Sequence, residues 1–120
     1  MDKNELLRRN REFAIRVFKL VERFPKTEAT RIVSYQLLKA ASSVAANYRS
    51  ANRAKSKSDF TNKLKIVLEE ADESNFWLTF AADVGLANRE DSRLSFLINE
   101  SDEFISIFTA SIKMLSKKAV

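Results

Sequence analysis

The 120 residues contain no cysteine and no histidine, and glycine and proline appear once each, as Gly85 and Pro25. Without thiols there is no disulfide framework and no thiolate for metal or nucleophilic chemistry, which fits a reducing compartment and makes the cytoplasm the expected location. Without imidazole the usual proton-transferring base is missing. The scarcity of glycine and proline excludes architectures built on many tight turns, such as sandwiches and barrels. A lone Gly85 cannot form a glycine-rich phosphate loop. No uninterrupted apolar run approaches the roughly 18 residues of a membrane span, and the charged stretch from Met1 to Arg11 does not resemble a secretory leader, so neither an anchor nor a signal segment is expected.

What remains is a chain with 45% hydrophobic and 31% charged residues. This is enough apolar material to offset the entropy of ordering one domain, and the length suits one and not two. Helical periodicity runs nearly end to end. Leu6, Phe13, Val17, Leu20 and Phe24 form a stripe at three-, four- and seven-residue steps, flanked by Leu7, Ala14, Phe18 and Val21. Pro25 lacks a backbone N–H and restricts Phe24, so a first helix over about 4–24 should stop there.

Thr27 and Glu28 suit the start of a second helix over about 27–54. Its apolar side is expected to include Ile32, Tyr35, Leu38 and Val44, and the small tract Ala40 to Ala46 is expected to let another helix approach closely. Ser56 and Asp59 have capping-box spacing and open a third helix over about 57–84. Phe60, Leu64, Val67, Ala71, Leu78 and Ala81 would be buried along it, with Phe76, Trp77 and Phe80 broadening the face. Gly85 suits the left-handed residue past a helix end, and Asn88 with Asp91 can start a fourth helix over about 89–117. That helix carries Leu94, Leu97, Ile98, Ile105, Phe108, Ile112 and Leu115. Short connections leave neighbours antiparallel, so the expected fold is all-α, an up-down-up-down antiparallel four-helix bundle over residues 1–120. Apolar residues left over on such long helices suggest further burial between subunits.

The net charge of +5 is local. Arg49, Arg53, Lys55, Lys57, Lys63 and Lys65 face one acid, Asp59, while the rest of the chain carries equal numbers of basic and acidic residues. These six cations, at the end of the second helix, its turn and the start of the third, are the candidate nucleic-acid-binding residues, with RNA or DNA as the candidate ligand. The plainer reading is a solvated bundle end in which Asp59 and Lys63 form a helical ion pair. The acids Glu69, Glu70, Asp72 and Glu73 would lie about 12–18 Å along the hairpin from Arg49 and Arg53. That is too far for effective neutralisation within one subunit beyond a Debye length of about 8 Å. Tyr35 and Tyr48 can stack on bases, though tyrosines on amphipathic helices usually pack.

Phe24–Pro25–Lys26 with Glu28 and Gln36, the run KAASSVAAN over 39–47, and the stretches YRSANRAKSKSDF and KLKIVLEEADES together resemble the bacterial four-helix bundle proteins that include those encoded in intervening sequences of 23S ribosomal RNA genes. The likeness covers roughly residues 13–86, and the fourth helix agrees in pattern. Many members carry a Glu-Gly pair after the asparagine, where this chain has Tyr48 and Arg49. The resemblance implies a homo-oligomer, with a pentameric ring as the form, and no enzyme activity. Accessory proteins of diversity-generating retroelements are similar bundles that are basic, pentameric and bind nucleic acid.

Catalysis is not expected on the residues either. Di-iron bundles use Glu-x-x-His pairs, which a chain without histidine cannot supply. Glu69 and Glu73 sit four apart, and with Glu70 and Asp72 nearby they could in principle hold magnesium, but Lys39 and Lys65 are their expected partners instead. Ser42, Ser43 and Ser50 have no base. No cofactor, metal, membrane or small-molecule substrate is expected, and a protein scaffold without a nucleic-acid ligand is the alternative role.

Overall fold

In the computed structural model, which describes residues 1–118, four helices follow in order: α1 (Lys3–Val21), α2 (Glu28–Ala51), α3 (Lys57–Asp83) and α4 (Ser92–Lys118). They form an antiparallel bundle 49 Å long and about 22 Å across. The helices start at side-chain caps. Asp2 accepts from the Glu5 amide at 2.8 Å, Thr27 from Thr30 at 3.2 Å, Ser56 from Asp59 at 3.1 Å and Asp91 from Arg93 at 2.8 Å. Each satisfies a first-turn N–H that has no intrahelical acceptor. Asp59 completes its box one residue earlier than the spacing predicts, accepting from the Lys55 amide at 3.3 Å.

The ends differ from expectation by a few residues. α1 stops at Val21 and Phe24 is carried in a tighter turn, its amide bonding the Val21 carbonyl at 3.1 Å. α2 likewise stops at Ala51, with Arg53 bonding Ser50 and Ala54 bonding Ala51. Among the described residues Gly85 alone has positive φ, at 82°. Its amide reaches the Ala82 carbonyl and the Leu86 amide reaches Ala81, the paired bonds that close a helix over a left-handed residue.

Val17, Leu37, Val44, Val67, Leu78, Leu94, Phe104 and Phe108 are fully buried at the centre of one continuous core. Phe13 meets Phe104 edge-on with centroids 5.4 Å apart, and Tyr48 packs on Phe108 at 5.5 Å. α2 and α3 share the most extensive interface, and α1 and α4 the least. Ala40, Ala41, Ala71, Ala81 and Ser74 are buried on that tighter pair, as close approach of two helix backbones requires. The small tract is therefore split, because Ser42 and Ala46 stay exposed on the outer side of α2.

Three expectations about faces are corrected. Ile32 and Tyr35 are 61% and 62% exposed, because the buried stripe of α2 runs through Val33, Leu37, Ala41, Val44 and Tyr48. Phe76 and Phe80 extend outward from the core, with only Trp77 half-buried among the three. Phe104, Asn10 and Ser101, none of them anticipated as core, are completely buried.

Candidate nucleic-acid interface and an adjoining groove

The basic stretch falls at the end of the bundle where α2 turns into α3. Arg49, Arg53, Lys55, Lys57 and Lys65 are exposed, and among the described residues none of their five side-chain cations lies within 4 Å of a carboxylate, although the Lys55 backbone N–H donates to Asp59 Oδ2 at 3.3 Å. Lys63 is different. Its ammonium lies 3.1 Å from Asp59 Oδ2. That contact, with the Lys55 N–H, holds the Asp59 carboxyl below its usual range. Lys63 is thus the helical ion pair of the plainer reading, while the other five point into solvent. Tyr48 is buried against Phe108 and cannot stack on bases, whereas Tyr35 is open, with the Lys39 ammonium 5.9 Å from its ring.

The acidic cluster does not pair as expected, since neither Lys39 nor Lys65 comes within 4 Å of a carboxylate among the described residues. Glu70 is raised above its ordinary value chiefly by burial and then by Glu73, with Lys39 partly opposing. No three acids converge into a group able to hold a metal ion among the described residues.

Folding brings further cations to the basic end. Because α1 and α2 are antiparallel, the start of α1 lies beside the end of α2, and Lys3 and Arg11 join Arg49 and Arg53 around a groove of about 820 Å³. Its floor is apolar, built from Leu7, Ala14, Ile15, Phe18, Leu38 and Ala45, with Ser42 and Ala46 between them. Among the described residues no carboxylate lines it. Ile15 is 37% and Phe18 50% exposed there. Sequence reasoning missed Lys3 and Arg11 because charge was summed along the chain, and these residues lie some forty positions from their neighbours in space.

The described residues thus form a four-helix bundle whose basic end opens into an apolar groove with no acid lining it among them. Its sequence matches the family model described as 23S rRNA-intervening sequence protein over residues 2–110, and the chain belongs to that family. Among solved structures it is similar to a protein of unknown function from the S23 ribosomal protein family of Bacteroides thetaiotaomicron. The two share 32% identity and a TM-score of 0.83, over 94% of this chain and 99% of the other. No curated protein matches it.

Proposed function

We infer that the protein is a non-catalytic, homo-oligomeric accessory protein that binds RNA or DNA through its basic end, with little sequence preference. The observation that supports this most is the set of five exposed cations, Arg49, Arg53, Lys55, Lys57 and Lys65, none of whose side chains is ion-paired among the described residues. A solvated bundle end normally interleaves both signs, and an unpaired cluster releases counterions when it meets phosphates. In an oligomer the patch repeats, and several weak contacts add through raised effective concentration.

Titrating labelled single- and double-stranded RNA and DNA across a range of salt tests the reading. Binding should weaken steeply as salt rises, by a slope of about 0.9 for each phosphate neutralised on a duplex. The triple variant Lys55→Gln, Lys57→Gln, Lys65→Gln should flatten that slope for every sequence alike. No salt-sensitive binding at low ionic strength overturns the reading. A protein scaffold is the second reading, and the apolar groove favours it, since phosphates gain nothing from Phe18, Ile15 and Leu38.

A further inference from the structure

The groove between α1 and α2 has an apolar floor and, among the described residues, only positive charge around it. On α3 the structure carries its complement. Ile66, Glu69, Glu73, Phe76 and Phe80 recur at three- and four-residue steps and form one stripe, opposite to the buried positions Leu64, Val67, Ala71, Ser74 and Leu78. All five are exposed, Ile66 by 43% and Phe76 by 53%. Phe76, Trp77 and Phe80 pack on one another with centroids 4.9 to 5.9 Å apart, so the aromatic end is a preformed ridge. Glu69 and Glu73 have no cation within 4 Å among the described residues.

We propose that the α1/α2 groove is the docking site for the α3 stripe of a second copy of this chain, an inference that rests on the homo-oligomeric part of the proposed function. Three features fit the two surfaces together. First, their signs are opposite and neither is neutralised within its own subunit. Second, their lengths agree: Lys3 to Phe18 spans about 22 Å of α1 and Ile66 to Phe80 about 21 Å of α3. Third, their registers agree. Phe18 is seven residues from Arg11 and Phe80 is seven from Glu73, about 10 Å in each helix, while Leu38 to Arg49 and Phe80 to Glu69 are both eleven, about 16 Å. Seating the second copy's Phe80 beside Phe18 and Leu38 therefore brings its Glu73 level with Arg11 and its Glu69 level with Arg49. The small residues Ser42, Ala45 and Ala46 leave room for the phenyl rings.

Groove and stripe are different faces of one subunit, so the contact is head to tail. It continues from copy to copy, closing into a ring where the rotation between copies divides a full turn and extending into a filament where it does not. Lys55 and Lys57, before and at the start of α3, belong to neither surface and stay free for phosphate contacts, while Lys65 borders the head of the stripe. The interface desolvates Arg11 and Arg49 only where Glu73 and Glu69 arrive, so a mismatched pair of like charges should break it.

Mass measurement by light scattering or sedimentation tests the pairing, with circular dichroism to verify helix content. The native chain should be oligomeric. The groove variant Arg11→Glu, Arg49→Glu and the stripe variant Glu69→Arg, Glu73→Arg should each be monomeric, and an equimolar mixture of the two should reassociate. The four-substitution chain, with both surfaces reversed, should assemble by itself. The only tryptophan, Trp77, lies beside Phe76 and Phe80, so its emission should shift on assembly and on dilution. Reversed variants that keep the native mass overturn this interface while leaving the homo-oligomer standing. A monomeric native chain overturns both, and a four-substitution chain that stays monomeric while folded overturns the groove-to-stripe pairing. Nucleic-acid titration of the Lys55, Lys57, Lys65 variant is read separately, by its salt slope against a native chain of the same measured mass.

Discussion

Replacing Asn10 by leucine should make this protein more stable. Asn10 has no exposed surface, and neither its Nδ2 nor its Oδ1 finds a protein partner among the described residues. It occupies the core stripe of α1 between Leu6 and Phe13, so its amide gives up water for an apolar environment. A buried donor or acceptor without a partner costs about 1–3 kcal/mol, and replacing it with an apolar group of the same branching removes that cost. Leucine also has the higher helix propensity, by about half a kcal/mol. Against this stands the greater bulk of two methyl groups over the amide oxygen and nitrogen they replace, which a tight core resists at about 1–3 kcal/mol where it cannot relax. The loosest helix pair in the bundle is α1 with α4, the place best able to yield. The net expectation is a gain of about 1–2 kcal/mol, which for a chain of this length raises Tm by roughly 4–8 °C. The assay is thermal and urea unfolding by circular dichroism at one fixed protein concentration, because association adds to apparent stability. Asn10→Asp, which buries a carboxylate at the same place, should lose stability. An Asn10→Leu protein less stable than the native one would refute the reasoning, since the amide must then have a partner, such as a bridging water, worth more than the apolar contact.

Three further outcomes follow from the same structure. Arg9 forks onto Glu100, with Nε 3.0 Å from Oε2, and reaches Glu103 at 3.2 Å, with only 18% and 12% of the Arg9 and Glu100 side chains exposed. The paired carboxylates hold the guanidinium further into its charged range against burial. Arg9→Met strands Glu100 and should cost roughly 2 kcal/mol in urea unfolding, less than the ~3–5 of a fully buried pair because water still reaches one edge. Gly85→Ala meets no atom within 4 Å but must adopt φ of 82°, so it should lose about 1–2 kcal/mol from backbone strain alone. Glu70 is raised by burial and by Glu73, so the native state binds its proton more tightly than the unfolded chain does. Its contribution should therefore improve as pH falls through the raised value toward the ordinary 4.5 and be lost as pH rises back through that window. Glu70→Gln should raise Tm at neutral pH and flatten this part of the pH profile.

The helices, their order and most of their caps were legible in the sequence because each depends on neighbours within a turn or two. Thr27, Ser56 and Asp91 act on amides two or three residues ahead, and Gly85 acts on the turn just behind it. The core of α1 was legible for the same reason, apart from Asn10, a polar residue filling the seven-residue step between Leu6 and Phe13, and Phe18, expected beside the stripe but 50% exposed. α2 was harder. Ile32, Tyr35 and Val33, Leu37 offer two apolar stripes on one helix, and helical spacing cannot choose between them. Packing against α3 and α1 buried the second. The partner of Lys63 was local and readable, while the freedom of Lys39 and Lys65 was not, since it depends on distances across the hairpin.

What the sequence by itself determined is an all-helical chain with one concentrated run of positive charge, because periodicity, capping and charge density are properties of short stretches. Only tertiary structure decided what that charge surrounds. Antiparallel folding set Lys3 and Arg11 beside Arg49 and Arg53, laid Leu7, Ile15, Phe18 and Leu38 between them, and turned Phe76 and Phe80 outward with Glu69 and Glu73. Those juxtapositions join residues up to fifty positions apart, and they exist only once the hydrophobic stripes of four helices have satisfied one another.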